Sequence, residues 1–449
     1  MGRAFNKVVV ANRGAVAARV LRALTEMGIR SVAVYSDADR DAPWLEWSSE
    51  AYRIGPAAAR ESYLDQRVLL EVLKQTRADA LHPGYGFLAE NAEFARRITD
   101  QDVTFIGPAA RWIEDMGHKT KARDLAKEYG LPVGAGSGVL SGVPAEIVAA
   151  ARKIGYPLLV KPAGGGGGIG MLTARDDEEL VAAVEKSASL AQRSFSSAEV
   201  YLERLVERPR HVELQIIADN FGNCMHLFER DCSVQRRHQK VIEEAAAPGI
   251  PRATIDTLAG DIAGKLGGAG YNNIGTVEML MDGDGKFAFL EMNTRLQVEH
   301  GVTEEVTGID IVKTQIRLAE DHKLADVVPN APTLDGHAIE ARVYAEDPKR
   351  FFPSPGKLEV FRPPVATGVR IETGYREGLD VTPHYDPLLA KVIVKRATRD
   401  KAIDDTIEAL DAFEVRGVKS NIPALITILN SDPFRAGAVH TGLIGELIK

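Results

Sequence analysis

The residues near position 290 have the side-chain types that chemistry on charged substrates requires. Glu291, Asn293, Arg295 and Glu299 follow a short apolar segment, residues 286–290, that predicts a strand. Mixed charges directly after a strand are poor sheet-forming material, so these side chains are candidates for a binding or catalytic site. A solvated hairpin face with scattered charges is the alternative interpretation.

A second carboxylate is expected beside Glu291. Residues 275–281 predict a strand that pairs with residues 286–290 in a hairpin, because an Asp-Gly-rich turn at residues 282–285 separates them. This pairing would bring Glu278 near Glu291. Two adjacent carboxylates repel unless a cation lies between them, and Mg²⁺ binds one or two protein carboxylates together with phosphate oxygens. The hairpin therefore predicts a magnesium site for a nucleotide substrate.

A run of glycines follows Lys161. Residues 161–171 read Lys-Pro-Ala-Gly-Gly-Gly-Gly-Gly-Ile-Gly-Met, between two predicted strands. Such a run cannot pack a core, but its N–H groups can approach an anion and its backbone can open and close. It lacks the Gly-Lys-Ser/Thr of a P-loop, and no helix begins directly after it as in a dinucleotide-binding fold. We interpret the run as a lid over phosphate groups; a disordered hairpin tip is the alternative.

Residues 231–240 are strongly basic within an acidic chain. Arg236, Arg237, His238 and Lys240 lie close together, and carboxylates bracket the segment on both sides. It lacks the interleaved aromatic residues of a single-stranded nucleic-acid site. We expect its positive charge to lie near a small anion or a triphosphate.

Length and composition limit the class of protein. The chain has 449 residues, enough for two or three domains, and its 45% hydrophobic and 26% charged residues are ordinary for a globular protein. The net charge of −8 argues against a general nucleic-acid or membrane-surface role. Cys224 and Cys232 match neither a zinc site nor a disulfide framework, so we expect a cytoplasmic location. No secretory signal or membrane-spanning run is evident.

The order of predicted elements indicates three domains. Alternating strands and helices over residues 1–114 predict a parallel sheet with helices on both faces, and ligands of such sheets bind at the carboxyl ends of the strands. Residues 82–87, His-Pro-Gly-Tyr-Gly-Phe, form a shaped loop at such an end. A helical linker is expected at residues 115–131, a small lid domain at 132–205 and a larger mixed α+β domain at 206–449.

Taken together, these motifs resemble the biotin carboxylase family, which has the ATP-grasp fold. The resemblance covers almost the whole chain, from residues 11–14 to residues 417–421. The motifs that carry it are residues 82–87, the glycine run after Lys161, residues 210–213, residues 229–240 with Glu243 and Glu244, residues 291–300 and residues 385–387. It implies an α/β ATP-grasp protein of three domains: an N-terminal parallel-sheet pre-ATP-grasp domain, a glycine-lid domain and a mixed C-terminal domain.

The resemblance also implies roles for single residues, transferred by matching motif. The nucleotide would be held by lysines and lid glycines at its phosphates and by a largely apolar pocket at its adenine. These residues are Lys119, Lys161, Gly166, Gly167, Gly168, Met171, Glu203, Leu205, His211, Gln235, His238 and Leu280. The metal ligands, for Mg²⁺ or Mn²⁺, would be Glu278, Glu291 and Asn293. Bicarbonate would contact Lys240, Arg295, Gln297, Val298 and Glu299, and biotin would face Tyr85 and Arg342.

The implied activity is ATP-dependent carboxylation of biotin on a carrier protein, through carboxyphosphate. Phosphoryl transfer needs neutralisation of negative charge, which a metal ion and lysines supply. A guanidinium fork at Arg295 suits planar bicarbonate, and Glu299 could take its proton. Released phosphate would then deprotonate biotin while Arg342 stabilises the enolate. Glu299, Arg295, Lys240 and Arg342 are the catalytic residues of this interpretation.

Four positions depart from the usual pattern of the family. Ala15 stands in place of Glu, Ile169 in place of Arg, and Ala246 and Gly301 each in place of Pro. We expect that Ile169 removes a mobile cation from the lid and that Gly301 loosens the backbone after Glu299. None of the four removes a residue assigned above as essential, so activity is still expected.

The chain shows no segment that resembles a biotin-acceptor domain. Biotin is therefore expected as a free ligand or on a separate carrier, and the chain is expected to be a subunit of a carboxylase or a domain of a longer one. The expected partners are a biotin carboxyl carrier protein, a carboxyltransferase, and another copy of the chain in a homodimer, with no nucleic acid or membrane. Two rival interpretations stay open. One is an ATP-grasp ligase similar to carbamoyl phosphate synthetase, which passes the activated carboxyl group to an amine. The other is a non-catalytic ATP-binding subunit.

Overall fold

The computed structural model describes residues 4–164, 169–195 and 197–448. Its first elements are β1 (Lys7–Val10), α1 (Gly14–Glu26), β2 (Arg30–Ser36), β3 (Glu50–Gly55), α2 (Gln66–Thr76), β4 (Ala80–His82), α3 (Ala92–Thr99) and β5 (Thr104–Phe105). The strands form a parallel sheet in the order β3-β2-β1-β4-β5. Val8 and Val10 enter the core on one face and Val9 the core on the other, as strand alternation requires. The predicted parallel sheet is confirmed, but β3 was not predicted, because it lacks an apolar run.

The helical linker consists of two helices, α4 (Ala110–Gly117) and α5 (Lys119–Glu128), where a single helical segment was predicted. They are separated at His118, whose backbone is extended (φ −106°, ψ 112°). Gly117, a weak helix former, ends the first helix. The break places Lys119 in the first turn of α5, where its backbone N–H donates to the Ala163 carbonyl over 3.0 Å. The linker is thus tied to the segment that leads into the glycine run.

The small lid domain is a four-stranded antiparallel sheet with two helices. Its elements are β6 (Gly136–Val139), α6 (Pro144–Ile154), β7 (Leu158–Pro162), β8 (Leu172–Ala174), α7 (Asp177–Phe195) and β9 (Val200–Arg204). The strand order is β6-β9-β7-β8, and apolar side chains of α6 and α7 pack on it. The predicted nucleotide contacts Gly166, Gly167 and Gly168 lie outside the described residues.

The third part is built on an eight-stranded antiparallel sheet. Its elements begin with β10 (Arg210–Ala218), β11 (Cys224–Arg236), β12 (Gln239–Ala245), α8 (Arg252–Gly268), β13 (Asn273–Met281), β14 (Phe287–Asn293), α9 (His300–Thr307), α10 (Ile311–Ala319), α11 (Leu324–Val327) and β15 (His337–Tyr344). They continue with β16 (Gly356–Lys357), β17 (Val360–Arg362), β18 (Val369–Thr373), β19 (Asp380–Val381), β20 (Leu388–Arg396), α12 (Arg399–Asp411), β21 (Glu414–Arg416), α13 (Ile422–Asn430), α14 (Asp432–Arg435) and α15 (Leu443–Leu447). The sheet order is β14-β13-β10-β11-β12-β15-β20-β18.

Strand β11 is much longer than the apolar segment, residues 224–228, that predicted it. The strand continues through the basic segment because its charged side chains find buried partners on the neighbouring strand. Arg230 bonds to Glu213 and Asp231 bonds to Arg210, all four on β10 and β11. Paired in this way, the charges are compatible with a buried strand. No helix among the described residues is both long and apolar enough to cross a membrane.

Candidate active site

One cavity of about 610 Å³ is lined by all three parts of the chain. It collects every predicted site residue that the structure describes. These are Tyr85, Lys119, Lys161, Met171, Glu203, Leu205, His211, Gln235, His238, Lys240, Glu278, Leu280, Glu291, Asn293, Arg295, Gln297, Val298, Glu299 and Arg342. The structure thus brings the predicted nucleotide, metal, bicarbonate and biotin residues to one place, while the role of each stays a prediction.

The predicted hairpin of β13 and β14 is confirmed. Charged side chains on this hairpin form a row with charged side chains of the neighbouring strands. Glu278 is the register partner of Glu291 on one side and of Glu213 on the other. Glu213 is in turn the partner of Arg230 on β11. Alternation along β10 places Glu213 on the same face as His211, as the sequence predicts. Glu278 and Glu291 therefore line the cavity, and the row of charges continues beyond it through the buried residues Glu213 and Arg230.

Lys240, the second residue of β12, binds two carboxylates of this row and the carboxylate of Glu299. Its ammonium donates to Glu278 Oε1 over 2.8 Å, to Glu299 Oε1 over 2.6 Å and also to Glu213 Oε2. An ammonium has three N–H groups, so all of them are used. Burial by itself would lower the pKa of Lys240, but the three carboxylates outweigh it and raise the pKa well above its usual range. An anion can bind Lys240 only by replacing one carboxylate.

Glu278 and Glu291 differ in how the protein compensates their charge. Burial would raise the pKa of Glu278, but Lys240 and His211 reverse the effect and hold this pKa far below its usual range. For Glu291, burial and the neighbouring charge of Glu278 raise the pKa, and no hydrogen bond to its carboxylate is formed within the described residues. An unpaired carboxylate beside an ionised one suits a divalent cation, so these two residues fit the implied metal.

Asn293, the third predicted metal ligand, contacts a cation of the protein. Its Oδ1 accepts a hydrogen bond from Arg295 Nη2 over 2.7 Å, and its role toward a metal stays a prediction. Arg295 also donates through Nε to Glu90 Oε2 over 2.8 Å and through Nη1 to Gln297 Oε1 over 2.8 Å and to the Leu296 carbonyl. Most of the guanidinium fork is therefore occupied by protein groups, and bicarbonate has to displace some of them.

The cavity lining also contains two further lysines, Lys119 and Lys161. Lys161 of β7 donates to Glu203 Oε2 over 2.8 Å, and Arg123 of α5 holds the other oxygen of Glu203 over 2.6 Å. Lys119 makes no hydrogen bond through its side chain among the described residues. Burial lowers the pKa of Lys119, while Glu291 opposes that shift. The side chains of Met171, Leu205 and Leu280 supply apolar wall.

Arg342 and Glu299 line the cavity and contact each other. Arg342 Nη2 donates to Glu299 Oε2 over 2.8 Å and lies 2.5 Å from Glu243 Oε1. Burial would raise the pKa of Glu299, but Lys240, Arg342 and Arg230 together hold it well below its usual range. Glu299 is therefore ionised and can accept a proton once its cationic neighbours are shared with an incoming anion.

Tyr85 lies on the loop that follows β4, and Asn12 positions this loop. The Asn12 Nδ2 donates to the carbonyls of Pro83 and Tyr85 over 2.6 and 2.8 Å. Gly84 lies between them with φ +65°, and a Cβ there would lie 2.9 Å from Asn12 Nδ2. Glycine is needed for this turn on both counts. The loop after a parallel strand thus reaches the cavity, as the sequence analysis expected.

Two of the four departures from the family pattern, Ile169 and Gly301, were expected to change the site. Ile169 is 49% exposed at the end of the described part of the lid. Gly301 lies in the first turn of α9, where a Cβ would be 2.4 Å from Ile393 Cδ1. The expected loosening after Glu299 is not what the structure shows, because Gly301 is helical and packed closely against β20.

Glu90 and Glu213 belong to the site but were not predicted as site residues. Glu90 anchors Arg295 and accepts from the Thr294 N–H over 3.2 Å, and Glu213 binds Lys240 and Arg230. The face shared by His211 and Glu213 was a usable signal for Glu213. Glu90 gave no signal, because only the tertiary fold brings it to Arg295.

This architecture, with a glycine-bordered lid sheet over a larger sheet that carries paired carboxylates, defines an ATP-grasp enzyme. A model of the biotin carboxylase N-terminal domain matches residues 4–113, and a model of the biotin carboxylase C-terminal domain matches residues 340–446. Between them, the ATP binding domain of the carbamoyl-phosphate synthase L chain matches residues 118–327. The chain belongs to the biotin carboxylase family.

Relatives align over almost all of the chain. A biotin carboxylase of Halalkalibacterium halodurans is 47% identical over 99% of this chain and 98% of its own length. A pyruvate carboxylase subunit of Methanothermobacter thermautotrophicus is 43% identical over 98% of this chain and 90% of its own length. The crystal structure of the biotin carboxylase domain dimer of Hydrogenobacter thermophilus 2-oxoglutarate carboxylase has a TM-score of 0.94 and 40% identity, and covers 98% of this chain and 97% of that one. That structure contains MgADP, ADP and bicarbonate.

Proposed function

We propose that this chain carboxylates biotin on a carrier protein, using ATP and bicarbonate and forming carboxyphosphate, ADP, phosphate and carboxybiotin. The observation that carries the proposal is the contact of one ammonium, Lys240, with both Glu278 and Glu299. Glu278 belongs to the carboxylate pair that fits a metal ion, and Glu299 lies beside Arg342. Lys240 therefore joins the place where a nucleotide would be activated to the place where a small anion would react.

The nucleotide phosphates are assigned to Lys119 and Lys161, in the half of the cavity under the lid. A Mg²⁺ or Mn²⁺ ion at Glu278 and Glu291 would neutralise charge on the phosphates during transfer. Lys119 has no hydrogen-bond partner for its side chain among the described residues and is free to contact a phosphate. Lys161 has to share its ammonium with Glu203, which orients it.

Bicarbonate is assigned to the space between Lys240, Arg295 and Glu299. An oxygen of bicarbonate attacks the γ-phosphorus of ATP, the bond from that phosphorus to the ADP oxygen breaks, and the bicarbonate proton passes to Glu299. When bicarbonate shares Lys240, the cationic field on Glu299 weakens and the carboxylate becomes a stronger base. Gln297, which bonds both Glu278 and Arg295, orients the anion between the two groups.

Biotin is assigned to the side of the cavity that Tyr85 and Arg342 line. Carboxyphosphate breaks down to CO₂ and phosphate there, and the phosphate takes the proton from the ureido nitrogen of biotin. The guanidinium of Arg342 stabilises the resulting enolate oxygen, and the nitrogen then attacks CO₂. This step completes the transfer with ADP, phosphate and carboxybiotin as products.

An ADP-release assay tests the proposal, with bicarbonate and free biotin each omitted in turn. We expect ADP release to require bicarbonate and to increase with biotin but not with ammonia. Stimulation by ammonia instead of biotin would identify a ligase of the carbamoyl phosphate synthetase type. ATP binding with no ADP release under any condition would identify a non-catalytic subunit.

The expected assembly forms part of the same proposal. We infer that biotin arrives on a separate carrier protein and that a carboxyltransferase subunit consumes the carboxybiotin. Two relatives support a multisubunit complex that contains a homodimer of this chain: the Methanothermobacter protein is named as a subunit, and the Hydrogenobacter domain is a dimer. A cytoplasmic location is proposed from the free state of Cys224 and Cys232.

A further inference from the structure

Lys391 of β20 is a buried cation that lies directly beside Arg342. The two residues are register partners on β15 and β20, and none of the lysine is exposed to solvent. Arg342 donates to the side chain of Glu299 over 2.8 Å, and Lys391 donates through Nζ to the backbone carbonyl of Val298 over 2.7 Å. Neighbouring strands therefore hold consecutive residues of the predicted bicarbonate segment, one through its side chain and one through its main chain.

The bond from Lys391 to Val298 is unusual for a buried ammonium, which normally binds carboxylates. Lys391 does have a carboxylate partner, Glu372, at 2.5 Å on the adjacent strand β18, and Glu340 lies 3.8 Å away. One of its three N–H groups nevertheless goes to a main-chain carbonyl of the cavity wall. Lys391 itself lies behind that wall, so it can act on a ligand only through Val298.

The position of the Val298 main chain, which Lys391 holds through the carbonyl, affects the residues on both sides of it. Gln297, just before it, donates to Glu278 Oε1 over 2.9 Å and accepts from Arg295 over 2.8 Å. Glu299, just after it, meets Lys240 over 2.6 Å. A displacement of the main chain at Val298 would therefore move the amide of Gln297 and the carboxylate of Glu299 together.

We propose that Lys391 is a positioning residue for bicarbonate, which it serves by fixing the Val298 peptide. The inference rests on the proposed function, because it assigns Lys391 to the bicarbonate end of the same cavity. Bicarbonate makes few contacts, and displacement of Gln297 and Glu299 removes a large share of them. The nucleotide phosphates are assigned to Lys119 and Lys161, and neither lysine bonds residues 297–299 within the described residues.

Lys391→Met tests the proposal, because methionine keeps much of the length of the side chain and removes the donor. We expect the KM for bicarbonate to rise about tenfold or more, as for the loss of a hydrogen bond from a charged group, while the KM for ATP stays near that of the wild type. Lys395→Met is the matched control on the same strand, since the Lys395 ammonium bonds Asp335 at the surface over 2.6 Å. It should leave both constants unchanged.

Glu372→Gln separates positioning from the buried ion pair. This variant also breaks the pair but keeps the donor to Val298, so its KM for bicarbonate should stay close to that of the wild type. A purely structural ion pair would instead make Lys391→Met and Glu372→Gln equivalent in all kinetic constants, and that result would overturn the proposal.

Folding of each variant is checked by circular dichroism and thermal unfolding. Lys391→Met leaves Glu372 buried with one cation fewer and can fail to fold, so the double variant Lys391→Met/Glu372→Gln removes the pair as a unit. Its KM for bicarbonate should rise as in the single variant, and a wild-type value in either folded variant would refute the role of Lys391. If ADP release by the wild-type protein does not depend on bicarbonate, the proposed function itself is refuted. That outcome is distinguishable from a failure of the Lys391 proposal, which concerns only the variants.

Discussion

Glu278 and Glu291 are direct cross-strand partners on β13 and β14, and the protein compensates only one of them. Glu278 accepts hydrogen bonds from Lys240 and Gln297 and lies 3.0 Å from His211 Nε2. Glu291 accepts no hydrogen bond from the described residues, and its pKa is raised by burial and by Glu278. We therefore expect a divalent cation to bind chiefly to Glu291, with Glu278 shared between that cation and Lys240.

Glu291→Gln should weaken the metal requirement selectively. We expect the Mg²⁺ concentration for half-maximal ADP release to rise about tenfold or more, because a carboxylate ligand is lost. The metal-free variant should be at least as heat-stable as the wild type, since a repulsion between two carboxylates is removed. Asp284→Asn, in the exposed turn of the same hairpin, is the control. An unchanged Mg²⁺ dependence in Glu291→Gln would contradict the metal assignment.

Glu299→Gln should abolish bicarbonate-dependent turnover. The amide keeps the shape of the side chain but cannot take the proton of bicarbonate, so we expect ADP release to fall about a hundredfold or more. ATP binding, measured by calorimetry, should persist because the lysines at the other end of the cavity are intact. Glu305→Gln, in the helix that follows, serves as the comparison and should remain active. Full activity of Glu299→Gln would rule out its role as the base.

Ile169→Arg should lower the KM for ATP. Ile169 is about half exposed beside the glycine run, so a guanidinium there can approach the phosphates without repacking a core. The difference in the KM for ATP between Ile169→Arg and the wild type should become smaller as ionic strength rises, because salt screens exposed charges. Ile169→Gln, a long polar residue without charge, should leave the KM near that of the wild type. Equal KM values for the arginine variant and the wild type would mean that a cation in the lid is dispensable.

Glu340 should make the fold less stable as pH rises. Burial, assisted by Glu243 and opposed by Lys391, raises the pKa of Glu340 to about 8. The folded state therefore retains a proton that the unfolded chain has already lost, so stability declines from about pH 5 to pH 9. Glu340→Gln mimics the protonated form and should reduce this decline, giving a higher unfolding temperature than the wild type at about pH 9 and little difference at about pH 5.

The control for this pH experiment is Glu359→Gln, because Glu359 is exposed. It should follow the pH dependence of the wild type. If the unfolding temperatures of the wild type and of Glu340→Gln change equally between about pH 5 and pH 9, Glu340 is already ionised in the folded state. Burial also raises the pKa of Glu243, to about 7. Glu243 is present in both the wild type and Glu340→Gln, so the difference between their unfolding temperatures reports on Glu340.

Local patterns predicted the parallel sheet and the hairpin of β13 and β14 well, for physical reasons. Continuous apolar runs indicate buried strands, and an Asp-Gly turn sets the register that makes Glu278 and Glu291 neighbours. Strand β11 was predicted too short, because the charges of Arg230 and Asp231 look like the end of a strand until their buried partners are known. The helix break at His118 was missed because one weak helix former does not mark a boundary by itself.

By itself, the sequence determined which family the motifs resemble and predicted which residues carry the chemistry, because residue type, spacing and strand period are local properties. Only the tertiary structure decided how those residues are held: Lys240 among three carboxylates, Arg295 against Glu90, and Lys391 on the Val298 carbonyl. These contacts join strands and loops far apart in the chain. They depend on the order of the strands in the sheet and on burial. A buried side chain stays ionised only if a residue of another element provides an opposite charge or a hydrogen bond.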